Sequence, residues 1–186
     1  MRDPRRVGIL ISGRGSNMRA LVEKASGYES ALVASNKPDA EGLEWARARG
    51  LQTWTLSSKG VAREDFDRKM SSVLDNHRVG TVALAGFMRI LSPWFVGEWR
   101  GRIVNIHPSL LPKYRGLDTH ARAIEAGDVF GGCSVHIVTE ELDAGEVLGQ
   151  AEVAIEPGDT PQSLEERVLA AEHELYPRVL SKFVNR

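Results

Sequence analysis

The apolar positions of this chain change their period along its length. Val7-Gly8-Ile9-Leu10-Ile11 is a short apolar run without alternation, the pattern of a strand buried on both faces of a parallel sheet. Ser12-Gly13-Arg14-Gly15-Ser16-Asn17 interrupts it, and Met18, Leu21, Val22 and Ala25 then recur at helical spacing, with Ser16 the expected N-cap. The alternation repeats: residues 31–35 read as a strand and 40–49 as a helix closed by Gly50, then 51–56 as a strand and 63–76 as a helix. Residues 81–85 and 103–106 add two more buried strands. Strands alternating with helices predict an α/β domain, doubly wound, with a mainly parallel sheet and a Rossmann-like N-terminal half.

Beyond residue 123 the texture changes. Residues 133–139 and 146–155 read as strands, and the connection 140–145 is too short for a helical crossover, so an antiparallel strand pair is expected near the C-terminus. A long helix follows from 161 to about 183, with Leu164, Val168, Ala171, Leu175 and Val179 on one side. Pro177 lies inside it and is expected to kink or divide it. No repeat, low-complexity tract or linker interrupts residues 1–186, which are expected to form a single domain.

Composition narrows the class. With 186 residues, 42% hydrophobic and 26% charged, the chain can bury a core without disulfide or metal staples. Cys133 is the only cysteine, which fits a reducing cytosol. A formal net charge of -1 gives no electrostatic footprint for nucleic acid or a membrane surface. The basic start at Arg2, Arg5 and Arg6 leads into an apolar run too short for a signal-peptide core, and no segment approaches the ~20 apolar residues of a membrane span. A soluble, cytoplasmic protein is expected.

Two stretches carry chemistry. Gly13-Arg14-Gly15-Ser16-Asn17 follows the first strand, where glycines permit close backbone approach and a helix N-terminus favours an anion. Met18 stands where a dinucleotide fingerprint needs its third glycine, and the Lys-Ser/Thr of a nucleotide P-loop is missing. The loop is therefore read as a mononucleotide-like phosphate site, with a plain tight turn as the alternative.

In Ile103-Val104-Asn105-Ile106-His107-Pro108-Ser109, Asn105 interrupts an apolar strand and His107 follows on the same face, with Pro108 ending the ladder. An amide that donates to an oxyanion beside an imidazole that moves protons suits acyl transfer. A carboxylate is then wanted to orient the ring. Glu140, Glu141, Asp143 and Glu146 are available, and the flanks of Asp143 favour a place near the sheet, although composition does not choose among the four. Ser109 lacks a nucleophile elbow, Cys133 has no adjacent base, and His107, His120 and His136 lack metal-ligand spacing. Direct transfer without covalent intermediate or metal is the simplest expectation.

Ser12-Gly13-Arg14-Gly15-Ser16-Asn17, Ala85-Gly86-Phe87-Met88-Arg89-Ile90-Leu91, Asn105-Ile106-His107-Pro108-Ser109-Leu110-Leu111-Pro112 and Leu142-Asp143-Ala144-Gly145 occur in an order and spacing that resembles the phosphoribosylglycinamide formyltransferase family. Ser35-Asn36-Lys37 and Glu172-His173-Glu174-Leu175-Tyr176-Pro177 add to the resemblance, which runs from about Val7 to Pro177. It implies 10-formyltetrahydrofolate as donor and 5-phosphoribosyl-glycinamide as acceptor in purine synthesis, without a metal. It implies that Gly15, Ser16 and Asn17 hold the acceptor's phosphate and that Glu172 meets its ribose. Met88, Arg89, Ile90, Leu91 and Asn105 would serve the folate, largely through backbone groups, with Arg63 near its benzoyl-glutamate end. Asn105, His107 and Asp143 match the family's catalytic trio.

Glu146 and Arg115-Gly116-Leu117-Asp118 depart from the family's usual residues. The implied partners are a phosphorylated small molecule and a folate, with a homodimer as the one macromolecular association the reading leaves open, and neither nucleic acid nor membrane. A formyl-folate hydrolase or a methionyl-tRNA formyltransferase is the enzymatic alternative, and a binding module without turnover the non-enzymatic one.

Overall fold

Strand alternation divides the apolar residues between two cores, one on each side of a single sheet. The computed structural model describes residues 2–186. Its strands are β1 (Asp3–Ile11), β2 (Glu29–Ser35), β3 (Thr53–Thr55), β4 (Val79–Leu84), β5 (Ile103–His107), β6 (Phe130–Ile137) and β7 (Val147–Ala154), in spatial order β3-β2-β1-β4-β5-β6-β7. The helices are α1 (Ser16–Glu23), α2 (Glu41–Ala48), α3 (Arg63–Asn76), α4 (Pro93–Glu98), α5 (Thr119–Glu125) and α6 (Pro161–Val184). Strands β3 to β5 and β1 pair in parallel as expected, whereas β6 is antiparallel to both β5 and β7. The reversed β6 therefore makes two antiparallel pairings where the sequence predicts one. The connection 108–129 returns beside β5 instead of crossing over the sheet.

Val7, Ile9 and Ile11 of β1, Val104 and Ile106 of β5, and Cys133 and Val135 of β6 pack with Met18, Leu21, Leu43, Leu164, Leu175 and Tyr176. Leu10, Leu32, Ala34, Val82, Leu84 and Ile103 point the other way, against Phe66, Met70, Leu74, Phe95 and Trp99 of the α3–α4 side. By the same alternation Asn105 and His107 share the face of Ile103, while Ser134 and His136 oppose that of Cys133 and Val135. That part of the face is covered by the segment after β5 instead of a helix. The Leu111 N–H donates to Ser134 Oγ (3.0 Å), the Ser134 hydroxyl donates to the Ser109 carbonyl (2.6 Å), and the Gln150 amide donates to the Leu111 carbonyl (2.9 Å).

Gly50 closes α2 as expected, left-handed just beyond Arg49, with its N–H on the Arg47 carbonyl (2.9 Å). Three local expectations are corrected. β1 starts at Asp3, earlier than its apolar stretch, because its polar N-terminal half still pairs with the flanking strands. Gly15, not Ser16, is the residue before α1, in a left-handed conformation and without a side-chain cap. Pro177 does not divide α6, which runs unbroken for 24 residues. The proline removes the donor that the His173 carbonyl would use, but its side chain is buried in the core, so packing holds the helix together. Helices α4 and α5 span 6 and 7 residues, too few to show a periodic signature in sequence. Among the described residues no helix is long and apolar enough to cross a membrane.

Helix α6 is fastened at its start and within its buried face. Thr160 and Ser163 form a capping box, and the fully buried Tyr176 hydroxyl lies 3.0 Å from the carbonyls of both Leu84 and Val104. Tyr176→Phe is expected to lower stability by about 1–2 kcal/mol, read as a shift in denaturant midpoint at unchanged slope, because it strands that hydrogen bond in the core.

Candidate active site

Ligands of an open α/β sheet lie beyond the carboxyl ends of its strands, where the strand order reverses, here between β1 and β4. Ser12 ties those ends together. Its N–H donates to the Gly86 carbonyl (3.1 Å), its hydroxyl donates to Asn36 Oδ1 (2.6 Å), and the Met88 N–H donates to its Oγ (2.8 Å). The Asn36 amide extends the chain to Ser58 Oγ (3.3 Å). The loops after β1, β2 and β4 are thus held in one polar lattice.

The loop after β1 needs Gly15 for two reasons. Its φ of 71° is the left-handed region, and an added Cβ would lie 2.8 Å from Met18 Cε. The Gly42 N–H at the start of α2 donates to the Gly13 carbonyl (3.1 Å) and pins the loop. No side chain caps α1, so the N–H groups of its first turn have no side-chain acceptor, an arrangement that suits an anion.

Asn17 is buried beside this turn and donates from Nδ2 to Glu172 Oε2 (2.7 Å), while its Oδ1 is buried without a hydrogen-bond partner. The structure therefore brings Glu172 to the Gly15-Ser16-Asn17 turn across a separation of 155 residues. Burial pushes the Glu172 carboxyl up to about 7, against the opposing pull of the Asn17 hydrogen bond.

The second cluster lies on β5 and β6. In their antiparallel register Asn105 stands opposite His136, and His107 opposite Ser134. Asn105 Nδ2 is 3.2 Å from His136 Nε2. Asp143 completes the set, with Oδ2 3.4 Å from His107 Nδ1 and Oδ1 3.6 Å from His136 Nε2. Its side chain is only 8% exposed, while Glu140, Glu141 and Glu146 face solvent, which selects among the four acids of that loop.

Asp143 adopts a left-handed φ of 50°, and its Oδ2 accepts the Gly116 N–H (3.0 Å). Gly145 lets the loop pass the end of β6, since an added Cβ would lie 1.8 Å from the Ile137 carbonyl oxygen. His107 Nε2 lies 2.9 Å from the Tyr114 carbonyl, so each of its ring nitrogens faces an oxygen. Tyr114, itself left-handed at φ 54°, donates its hydroxyl to Asp128 (2.8 Å), which also takes Lys113 Nζ on both oxygens at 2.9 Å.

Two histidines join this region that sequence reasoning set aside as lacking metal-ligand spacing. His136 alternates with Val135 as Asn105 does with Ile106, and that was its only signal in sequence. His120, on α5, feels the charge of His107, and burial lowers its pKa.

The loop after β4 presents Met88 and Ile90 to solvent, 75% and 63% exposed, while Leu91 is buried against the α3–α4 core. The Arg89 guanidinium turns back to the carbonyls of Ser58 (3.5 Å) and Val61 (3.2 Å). Arg89 and Leu91 therefore offer only backbone groups to this rim. Arg63 is exposed at the first position of α3; burial pushes the Asp67 carboxyl up, and the Arg63 charge opposes that only in small part. Burial pushes the Cys133 thiol up to about 12, which makes it inert as a nucleophile. Among the described residues no three His, Cys, Asp or Glu side chains converge in a way that could hold a metal ion.

The formyl transferase family pattern matches residues 5–180. The chain is 49% identical over 183 residues to the phosphoribosylglycinamide formyltransferase of Escherichia coli (strain K12), covering 95% of this chain and 86% of that protein. It is 47% identical to the trifunctional purine biosynthetic protein adenosine-3 of Drosophila melanogaster, with 97% of this chain covered but only 14% of that longer protein's length. Among solved structures, the phosphoribosylglycinamide formyltransferase of Brucella melitensis superposes with a TM-score of 0.91 at 46% identity, over 96% of this chain and 95% of that one. The Coxiella burnetii phosphoribosylglycinamide formyltransferase, in complex with CHES, gives 0.90 at 43% identity, over 97% and 87%. Both polar clusters lie inside the matched span, and the chain belongs to the formyl transferase family.

Proposed function

We propose that this chain transfers the formyl group of 10-formyltetrahydrofolate directly to the amine of 5-phosphoribosyl-glycinamide, giving the N-formyl product of de novo purine biosynthesis. The observation that carries the reading is the convergence of Asn105, His107 and Asp143 at the carboxyl end of β5, on the sheet edge that also bears the uncapped turn at Gly15. That turn and the unpartnered Asn17 Oδ1 suit a phosphorylated acceptor, and Glu172 suits its ribose hydroxyls. The exposed apolar Met88 and Ile90, together with Leu142 beside Asp143, suit the face of a flat ring, and Arg63 suits the acidic tail of a folate.

The donor supplies a formyl carbon bonded to a folate nitrogen. Attack by the acceptor amine on that carbon places negative charge on the formyl oxygen, where the Asn105 N–H and the His107 ring stabilise it. Collapse breaks the carbon–nitrogen bond to the folate. The proton lost by the amine reaches the departing nitrogen through His107 or an ordered water. His107 Nε2–H exchanges the Tyr114 carbonyl for the reacting group in this step, and Asp143 holds the ring from its other edge. A cytoplasmic setting accords with the single buried thiol and the near-neutral charge.

An absorbance assay for released folate tests the reading. Release only in the presence of ribosyl-glycinamide is expected. Release into water would mean a hydrolase, and no release a binding module. His107→Ala is expected to lower kcat by about 10²–10⁴ with little change in either KM. A loss carried by KM instead would reduce His107 to a binding role.

Glu172 gives a pH prediction. Its folded pKa of about 7 lies above a glutamate's ordinary 4.5, so the folded chain binds the extra proton between those values. Stability from this group is therefore lost as pH rises towards about 7, and the cost of the buried charge is fully present above it. Glu172→Gln is expected to stabilise the fold by up to about 3 kcal/mol at pH 8 and hardly at all at pH 5, measured by urea denaturation.

A further inference from the structure

We infer that His136 is a positioning residue: it holds the Asn105 carboxamide with its nitrogen turned inward, so that a second N–H is left for the developing oxyanion. The inference rests on the formyl-transfer reading and assigns a part in it to a residue outside the trio.

A carboxamide is nearly symmetric in shape, so packing does not decide which end is nitrogen. Its hydrogen-bond partners do. His136 Nδ1 lies 3.0 Å from the Ile137 carbonyl, which can only accept, so Nδ1 carries the hydrogen. In a neutral ring Nε2 is then a bare acceptor, and it lies 3.2 Å from Asn105 Nδ2. An acceptor there selects the amide nitrogen. The flipped amide would set two lone pairs against each other.

The competing arrangement is a doubly protonated His136 that donates from Nε2 to Asp143. Two observations oppose it. The first is distance: the Nε2–Oδ1 separation is 3.6 Å, too long for a hydrogen bond. His136 is only 2% exposed, and burial outweighs the attraction of Asp143 and lowers its pKa, with the charge of His107 acting in the same direction. Burial thus favours the neutral ring, and the Ile137 carbonyl places its hydrogen on Nδ1.

The register makes this possible. Asn105 and His136 are direct cross-strand partners, so the amide is held by a strand and not by a loop. Misaiming one oxyanion donor is worth about 10²–10³ in kcat, and an amide free to turn retains part of that.

A double-mutant cycle tests the inference. His136→Leu is expected to lower kcat about 10–100-fold with both KM values nearly unchanged, and to add almost nothing in an Asn105→Ala background, since its effect runs through that amide. His136→Gln, whose amide oxygen can reach the Nε2 position, is expected to recover most of the loss. Equal losses in both backgrounds would overturn the inference, because a merely structural residue costs the same with or without Asn105. If His136→Leu does not fold, nitrogen NMR of the otherwise unaltered chain with labelled histidine decides: a bare Nε2 on His136 supports the assignment, and a protonated Nε2 overturns it. Failure of formyl transfer by the unaltered chain would be seen separately, in the release assay, and would remove the proposed function without touching the tautomer.

Discussion

The site depends on a single geometric constraint, the two-residue period of β5 read against β6. Val104 and Ile106 must face the α6 side of the sheet to build its core, which commits Asn105 and His107 to the opposite face. Cys133 and Val135 impose the same division on Ser134 and His136. No helix lies over this part of the opposite face. The chain covers it with two connections, the 108–118 segment and the 140–146 loop, whose backbone groups then become partners for the buried polar side chains. The hydrophobic core thus sets the aim of the polar groups, and a one-residue slip of either strand would turn its two polar residues into the core.

The covering segments are coupled to each other as well as to the sheet. Tyr114 gives its carbonyl to His107, Gly116 gives its N–H to Asp143, and Arg115 pairs with Glu141 across the gap (2.8 Å). Asp128 anchors the first of these through Lys113 and the Tyr114 hydroxyl. The stretch Arg115-Gly116-Leu117-Asp118 is therefore where the carboxylate is held. That contact uses a backbone N–H, which does not depend on the neighbouring side chains. The exposed Arg115–Glu141 pair adds little energy of its own.

The turn at Gly15 shows a different balance. An uncapped helix start and a buried carboxyl both weaken the isolated fold, the first by leaving backbone donors without a protein partner and the second by desolvation. Both make sense as features held ready for a polar ligand. The Ser12–Asn36–Ser58 lattice and the Gly42 contact hold the turn rigid, so its shape does not depend on the ligand that it suits.

Much of this was legible in the sequence, because the signals concerned are local. Apolar runs bounded by glycine and polar residues marked the parallel strands, helical spacing marked α1, α2, α3 and α6, and the short 140–145 connection marked β6 and β7 as antiparallel. An asparagine and a histidine interrupting a buried strand at its carboxyl end marked the chemistry. Helices α4 and α5 were too short to show a period, and the Gly15 cap and the continuity of α6 through Pro177 depend on packing that no local window contains.

The sequence by itself determined which faces of the strands are apolar and which residue types stand at their ends. Only the tertiary structure decided that His136 stands opposite Asn105, that Asp143 is chosen from four acids, and that Asn17 meets Glu172. Register, loop path and burial are properties of contacts between distant segments, and a linear pattern fixes only what each segment brings to them.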